Sequence, residues 1–186
     1  MIREVYDVSK VKTVEERRAA LVMKYRKLNI DKEERKADRV IYFLSRGKEK
    51  YVMMCLLGQN TIGISYIRDL KELVDKEGAN KGILVGDGKY TYSAKSTAPE
   101  LGVELIPPTL PVFDVFEHVL VPKAEIVSEE EKKRLVKAYH AQLYQFPWIK
   151  ADDPVSIILG AEPGDIIKIM VKSETAGVSE SYRYVV

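Results

Sequence analysis

Three prolines within five residues divide this chain, and they constrain its fold more than any other feature. The run Pro107-Pro108-Thr109-Leu110-Pro111 lacks backbone N–H groups that a helix interior or a central strand requires. Such a run is typical of a stiff linker between folded parts. The chain has 186 residues, which is enough for two small domains. We therefore predict one domain over residues 1–110 and a second over residues 111–186.

The first part alternates between helical and strand patterns. Thr13 and Glu16 form a capping-box pattern, which predicts a helix that extends to about Leu28. The further predicted elements are a hairpin of strands 39–45 and 51–57, a helix over 63–77 that ends at Gly78, and buried strands over 82–86 and 103–106. Helices that alternate with strands predict an α/β domain with a central sheet.

The second part begins with a helix and ends in strands. The pattern from Ser128 to Glu131 is a second capping box. Asp153-Pro154 is typical of the start of a short helix, because proline suits the first turn. Pro163-Gly164 favours a type II turn, since glycine supplies the positive φ of its second corner. Apolar strands over 166–171 and 182–186, joined by a polar loop, complete a small α+β module.

Charge and composition narrow the classes of partner. Residues 1–50 carry 15 Lys and Arg against 9 Asp and Glu, whereas residues 151–186 carry 3 against 6. The basic front end favours a polyanionic partner, and the acidic rear end is a poor phosphate binder. No apolar run approaches the length of a membrane span, so no membrane partner is expected. The single cysteine, Cys55, lies in an apolar run and is expected to be a buried thiol.

Sequence signatures of catalysis are not found. The two histidines, His118 and His140, have no companions at metal-binding spacing. The stretch Gly86-Asp87-Gly88-Lys89 is too short for a phosphate-binding loop and predicts a turn. We therefore predict no catalytic residue, no metal site and no cofactor for the chain alone.

The last third carries five short sequence blocks in a defined order. They are His118-Val119-Leu120-Val121-Pro122, Asp153-Pro154-Val155, the run 159–169 around Pro163-Gly164, Ser173-Glu174-Thr175-Ala176-Gly177, and Tyr182-Arg183-Tyr184-Val185-Val186. In this order they resemble the C-terminal assembly module of the archaeal H-type RNA polymerase subunit and of its eukaryotic counterpart, the fifth subunit shared by the nuclear polymerases. The resemblance implies a non-catalytic subunit of DNA-directed RNA polymerase that docks on the largest subunit and meets other core subunits. The docking candidates are His118, Pro122, Asp153, Pro154, Gly164, Ser173, Thr175, Gly177, Tyr182 and Arg183.

A physical mechanism is compatible with such docking. A module that ends in strands presents an unpaired sheet edge, which a strand of a partner can complete. Arg183 alternates with Tyr182 and Tyr184, and these residue types dominate interface hot spots. The alternative, that the two tyrosines pack the core of the module, is equally open.

The N-terminal part resembles the jaw domain of the eukaryotic fifth subunit, which is related to the restriction-endonuclease-like fold. The resemblance is carried by the block 62–67, the strand at 82–86 and the loop 91–95. In the family the equivalent loop faces downstream DNA, which implies non-specific contacts with double-stranded DNA from Thr91, Tyr92, Ser93 and Lys95. A helix N-terminus beside a lysine can bind phosphate, although an ordinary capped helix is the alternative. The family implies a cytoplasmic, nucleoid-associated protein in an archaeon or a nuclear one in a eukaryote, and a viral source is also open.

Two other functions remain for the N-terminal part. It could bind a transcription factor instead of DNA. It could also be a nuclease, which requires an acid and a Glu-x-Lys pattern on adjacent strands to hold a divalent cation. The candidates Lys48, Glu49 and Lys50 are predicted to lie in a turn, which argues against this chemistry.

Overall fold

The backbone forms two units that follow each other along the chain. The computed structural model describes residues 13–173 and 177–186. The first unit ends at Val112 and the second begins at Phe113. Within the described residues, each unit contains a sheet of its own.

The first unit is an α/β fold built on a five-stranded sheet. Its elements are α1 (Val14–Tyr25), β1 (Asn29–Arg35), β2 (Arg39–Arg46), β3 (Glu49–Leu56), β4 (Thr61–Ile62), α2 (Ile64–Glu77), β5 (Lys81–Gly86), β6 (Lys89–Tyr90), α3 (Tyr92–Glu100) and β7 (Val103–Ile106). The sheet order is β1-β2-β3-β5-β7, and β4 and β6 form a separate parallel pair. The first three strands are antiparallel, whereas β3, β5 and β7 are parallel and are connected through α2 and α3.

The predicted helices form for the expected local reasons. Thr13 caps α1, and its side-chain oxygen accepts a hydrogen bond from the Glu16 N–H at 3.3 Å. In α2, Ile67, Leu70 and Val74 recur at helical spacing and are buried against the sheet. Gly78 ends α2 with a φ of 62°, as its sequence position predicts.

Strand β1 was not predicted from the sequence. Its segment is strongly charged and has no apolar alternation that would indicate a strand. It pairs with β2 at the edge of the sheet, where five of its seven side chains are exposed. Charged side chains on an edge strand oppose pairing with foreign strands, so this composition suits the position.

The hairpin of β2 and β3 corrects one prediction. The turn lies at Gly47 and Lys48, and Gly47 has a φ of 64°. Glu49 and Lys50 are the first residues of β3 and pair with Arg46 and Ser45, so placing them in the turn was wrong. The hairpin extends further than its apolar run because main-chain pairing continues past the last buried side chain.

The second unit is an α+β module with a four-stranded sheet. Its regular elements are β8 (Lys123–Ile126), α4 (Glu129–Tyr139), β9 (Trp148–Ile149), α5 (Pro154–Leu159), β10 (Ile166–Ser173) and β11 (Gly177–Val185). Single 3₁₀ turns lie at Val115–Glu117 and Leu143–Gln145. The sheet order is β8-β10-β11-β9, with β9 parallel to β11 and the other pairs antiparallel. The core contains Val127, Leu135, Phe146 and Ile166.

The last hairpin is longer than its sequence pattern predicts. Strand β11 begins at Gly177 rather than at Tyr182, so the predicted polar loop was too long. Residues 177–181 contain one apolar residue, Val178, among small and polar ones, which gives no apolar alternation, but they pair with β10 without a register shift. The pairing is therefore dictated by the partner strand.

No helix among the described residues has the length and apolarity needed to cross a membrane. The longest of them, α2, has 14 residues and carries charged side chains along its length.

Candidate nucleic-acid and docking surfaces

Two helices of the first unit begin side by side. The parallel pair β4 and β6 places Thr61 opposite Lys89 and Ile62 opposite Tyr90. The next residue on each strand is a helix cap, Gly63 for α2 and Thr91 for α3. Neighbouring strands lie about 4.8 Å apart, so the two N-termini are adjacent on the same side of the unit.

The electrostatics of these two N-termini are complementary to anions. The first turns of α2 and α3 contain no acidic residue, whereas those of α1 and α4 do. A helix N-terminus carries a partial positive charge, and two adjacent ones add their fields. Lys89 and Lys95 are exposed nearby, and neither forms an ion pair with another described residue.

The predicted DNA-contact residues lie at this surface. Thr91 is half-buried, and its side-chain oxygen accepts from the Ala94 N–H at 3.2 Å, which makes it the cap of α3. Tyr92 is 87% exposed. Ser93 and Lys95 are exposed as well, whereas Ala94 is fully buried and seats the helix on the unit.

The glycine turn between β5 and β6 aligns the two helix starts. The Lys89 N–H donates to the Asn60 carbonyl oxygen at 3.0 Å. A Cβ on Gly88 would lie 2.9 Å from that same oxygen and closer still to the Gln59 carbonyl oxygen, so only glycine fits there. The buried Tyr90 hydroxyl donates to main-chain carbonyls, and burial raises its pKa above the ordinary value.

The second unit presents an open strand edge. Strand β9 covers β11 only at Tyr184 and Val185. The Tyr184 N–H points outward to the Pro147 carbonyl oxygen at 2.8 Å, so alternation along the strand turns the main-chain groups of Val178, Glu180 and Tyr182 outward as well. No described strand pairs with these three residues on that side.

The neighbouring side chains of Tyr182 and Arg183 on β11 have different surroundings. Tyr182 packs on Phe146 with ring centroids 6.3 Å apart, and its hydroxyl donates to Glu180 at 2.8 Å. Burial and this bond raise the pKa of Tyr182 to about 12. Arg183 is half-buried, and its Nη1 donates to the Ser181 hydroxyl at 2.8 Å and to the Tyr182 carbonyl oxygen at 3.0 Å.

An exposed apolar tip lies before β8. Val119 and Leu120 are 93% and 81% exposed, which makes them the most exposed large aliphatic side chains among the described residues. His118 is exposed, and its Nδ1 accepts from the Leu120 N–H at 3.2 Å, which bends the tip; Pro122 is half-buried. The sequence blocks predicted His118 and Pro122 as docking residues, but not Val119 and Leu120, which lie between them. The two apolar residues belong to no helix or strand pattern that would bury them, and this is the signal that could have identified them.

The remaining docking candidates shape the module. Asp153 caps α5 by accepting from the Val155 N–H at 2.8 Å, and Pro154 is its first residue. Gly164 has a φ of 100° in the predicted turn. Ser173 and Gly177 form the last main-chain pair of the terminal hairpin, and Thr175 lies outside the described residues. Gly164 lies at one end of the hairpin of β10 and β11, where its N–H donates to Val185, whereas Ser173 and Gly177 lie at the other end, so these candidates do not form one site.

Among the described residues, no group of three His, Cys, Asp or Glu side chains is arranged to hold a metal ion. Glu49, which the nuclease hypothesis would use, instead accepts from Arg46 at 2.8 Å and from the Tyr51 hydroxyl at 2.6 Å. These bonds lower the pKa of Glu49. The carboxylate is thus already satisfied within the hairpin.

Comparison with known proteins decides the family. The family described as RNA polymerase Rpb5, C-terminal domain, matches residues 113–185. Three archaeal proteins named DNA-directed RNA polymerase subunit Rpo5 align over 74 residues. They are those of Thermococcus kodakarensis (54% identical, 90% of its length), Pyrococcus abyssi (57%, 90%) and Sulfolobus acidocaldarius (52%, 88%), each covering 40% of this chain. The chain belongs to the Rpb5 family of RNA polymerase subunits.

The first unit of this Rpb5-family protein matches a different protein family. Residues 17–108 match a family described as restriction endonuclease. The predicted combination of a restriction-endonuclease-like α/β domain with an Rpb5-type C-terminal module is therefore confirmed. The alignments to the Rpo5 proteins take up only 40% of the chain, so they do not account for most of its length.

Proposed function

We propose that this protein is a non-catalytic subunit of DNA-directed RNA polymerase whose second unit docks on the largest subunit. The observation that carries the proposal is the match of residues 113–185 to the Rpb5 C-terminal domain. The Rpo5 proteins, which are more than half identical over 74 residues, support it. Other core subunits would be neighbours in the assembled enzyme.

Two features of the second unit suit a protein partner. The outward main-chain groups of Val178, Glu180 and Tyr182 have no partner among the described strands, and an extended segment of the largest subunit would satisfy them. Val119 and Leu120 expose apolar surface whose burial would contribute about 25 cal/mol per Å². Asp153, Pro154 and Gly164 would act indirectly by holding the module in shape.

Affinity purification of the tagged full-length chain from its native cell tests the proposal. Recovery of the largest polymerase subunit is expected, and recovery of the chain without any large polymerase subunit would overturn it. A Val119→Ser, Leu120→Ser double variant should reduce the recovery. The control is Tyr92→Ser, which removes a similarly exposed side chain from the first unit and should leave recovery unchanged.

For the first unit, we propose contact with downstream double-stranded DNA. The adjacent N-termini of α2 and α3 and the exposed Tyr92, Lys89 and Lys95 support a phosphate-facing surface. Main-chain N–H groups and lysines bind phosphates of any DNA sequence, so binding would be non-specific and sensitive to salt.

Binding of a transcription factor by the first unit is the alternative. A Lys95→Glu variant distinguishes DNA contact from factor binding, because reversing the charge weakens a contact with DNA phosphate directly. A Lys95→Glu polymerase that keeps its salt-dependent DNA affinity but no longer retains a protein factor would favour the factor. Loss of DNA affinity would favour direct contact of the first unit with DNA.

Nuclease activity is a second alternative, which the match of residues 17–108 to a restriction endonuclease family supports. The described residues of β2 and β3 lack the Glu-x-Lys pattern, since Glu49 is followed at that spacing by Tyr51. Incubation of the purified chain with DNA and Mg²⁺ tests it. Cleavage that disappears in Glu49→Gln or Asp87→Asn would establish the nuclease.

A further inference from the structure

The connection between the two units is shorter than its proline-rich sequence indicates. The Leu110 N–H donates to the Pro107 carbonyl oxygen at 3.1 Å, which closes a turn, and Leu110 is 2% exposed. On the other side, the Asp114 side chain accepts from the Phe116 N–H at 3.1 Å and caps the first 3₁₀ turn. Only residues 111–113 lie between these two local structures.

One guanidinium group holds the turn in place. Arg18 of α1 is 6% exposed. Its Nε donates to the Leu110 carbonyl oxygen at 2.7 Å, and its Nη2 donates to the Pro108 carbonyl oxygen at 2.6 Å. The planar fork of arginine can direct two N–H groups at two carbonyls at once, which a lysine ammonium cannot do with the same geometry.

The third guanidinium nitrogen of Arg18 reaches the turn that precedes the candidate DNA-contact residues. Its Nη1 lies 2.7 Å from Asp87 Oδ1, in the turn that leads into β6. Asp87 is four residues before Thr91, the cap of α3. The start of the linker and the turn that precedes the candidate DNA-contact residues are therefore attached to the same side chain.

We propose that Arg18 is a latch that keeps residues 107–110 on the first unit and so limits the free connection to residues 111–113. From Leu110 to Asp114 the chain makes four Cα steps, which span at most about 15 Å. Without the latch, eight steps from Ile106 would span roughly 30 Å. When one unit is bound, a connection of twice the length lowers the effective concentration of the other unit at its own binding site by about threefold. The latch is a property of the chain itself and does not depend on which partner it binds.

Backbone ¹⁵N relaxation of the full-length protein tests the latch. The informative amides are those of Thr109, Leu110, Val112 and Phe113, since prolines lack the N–H. In the unmodified protein, Thr109 and Leu110 should have order parameters of about 0.85, like the strands, and only Val112 and Phe113 should be lower. In Arg18→Lys, Thr109 and Leu110 should fall below about 0.6 while the sheet resonances stay unchanged.

The control is Arg68→Lys, a change at an exposed arginine on α2, which should leave all four amides as they are. Equal mobility of Leu110 and Val112 in the unmodified protein would overturn the latch without any variant. Unchanged order parameters in Arg18→Lys would also overturn it. So would unfolding of the whole first unit in that variant, because the guanidinium would then stabilise the fold rather than the segment.

Discussion

The main-chain N–H of Thr91 donates to the carbonyl oxygen of Ile62 at 3.0 Å. This bond continues the pairing of β4 and β6 to the first residues of two helices, so α2 and α3 start in register. The two starts are distant in sequence, and a two-residue strand pair brings them together. The proposed DNA surface depends on this alignment.

Neutralising one lysine at that surface should change the salt dependence of DNA binding. If Lys95 contacts a phosphate, Lys95→Gln should weaken binding to all duplex sequences alike. The slope of log affinity against log salt should decrease in magnitude by about 1. Fluorescence anisotropy with a labelled duplex at several salt concentrations measures both quantities. Lys48→Gln, in the β2–β3 turn at the opposite end of β3, is the control, and an equal effect there would contradict the assigned surface.

Alanine at Gly88 should destabilise the first unit. A Cβ there meets the backbone of Gln59 and Asn60, which cannot move without displacing β4. The free energy of unfolding should fall by about 2 kcal/mol or more, as expected for overpacking that shifts backbone. Urea denaturation followed by far-UV circular dichroism measures this.

The matched change is Gly63→Ala. No described atom lies within 4 Å of the added Cβ, and a φ of −93° suits alanine. The cost should stay below about 1 kcal/mol, which reflects only the poorer capping by alanine. Equal losses in the two variants would contradict the steric explanation.

Alanine at Ser156 should preserve or raise the stability of the second unit. The Ser156 hydroxyl is fully buried on α5 and has no hydrogen-bond partner among the described residues. Removing a buried hydroxyl without a partner should add up to about 1 kcal/mol to the free energy of unfolding. Ser128→Ala provides the opposite case, because the Ser128 hydroxyl caps α4, and its loss should cost about 1 kcal/mol. Urea denaturation followed by the fluorescence of Trp148 measures both, and a loss in Ser156→Ala would show that the hydroxyl is satisfied in solution.

Alkaline pH should weaken the fold through Tyr182. Its pKa is raised from an ordinary 10.0 to about 12 in the folded state, so folding favours the protonated phenol. This contribution is fully present below pH 10 and is lost as the pH rises to 12. The stability of the unmodified protein relative to Tyr182→Phe should therefore decrease across this range, as measured by urea midpoints at stepped pH. A difference that stays constant would contradict the raised pKa.

Proline on the outer edge of β11 should separate docking from folding. Val178→Pro removes a main-chain N–H that points away from β10, so the hairpin should persist while recovery of the largest subunit falls. Ser179→Pro removes an N–H that points toward β10 and should disrupt the hairpin itself. Circular dichroism and affinity purification together distinguish these outcomes. Full recovery with Val178→Pro would exclude strand pairing at that edge.

Local signals in the sequence predicted most elements correctly. Thr13, Ser128 and Asp153 cap the helices that follow them, and Gly78 ends α2, because caps depend on neighbouring residues only. The charged strand β1 was missed, and Glu49 was placed in a turn, because strand pairing depends on a partner elsewhere in the chain. The same reason explains why residues 177–181 were assigned to a loop.

The sequence by itself determined the α/β class of the first unit through its local periodicity, and the family of the second unit through the order of its short blocks. Only the tertiary structure decided that Gly63 lies beside Thr91, that Val119 and Leu120 are exposed, and that Arg18 holds Leu110. Hydrogen bonds and burial between residues distant in sequence are products of packing, and no local pattern encodes which residue will be the partner.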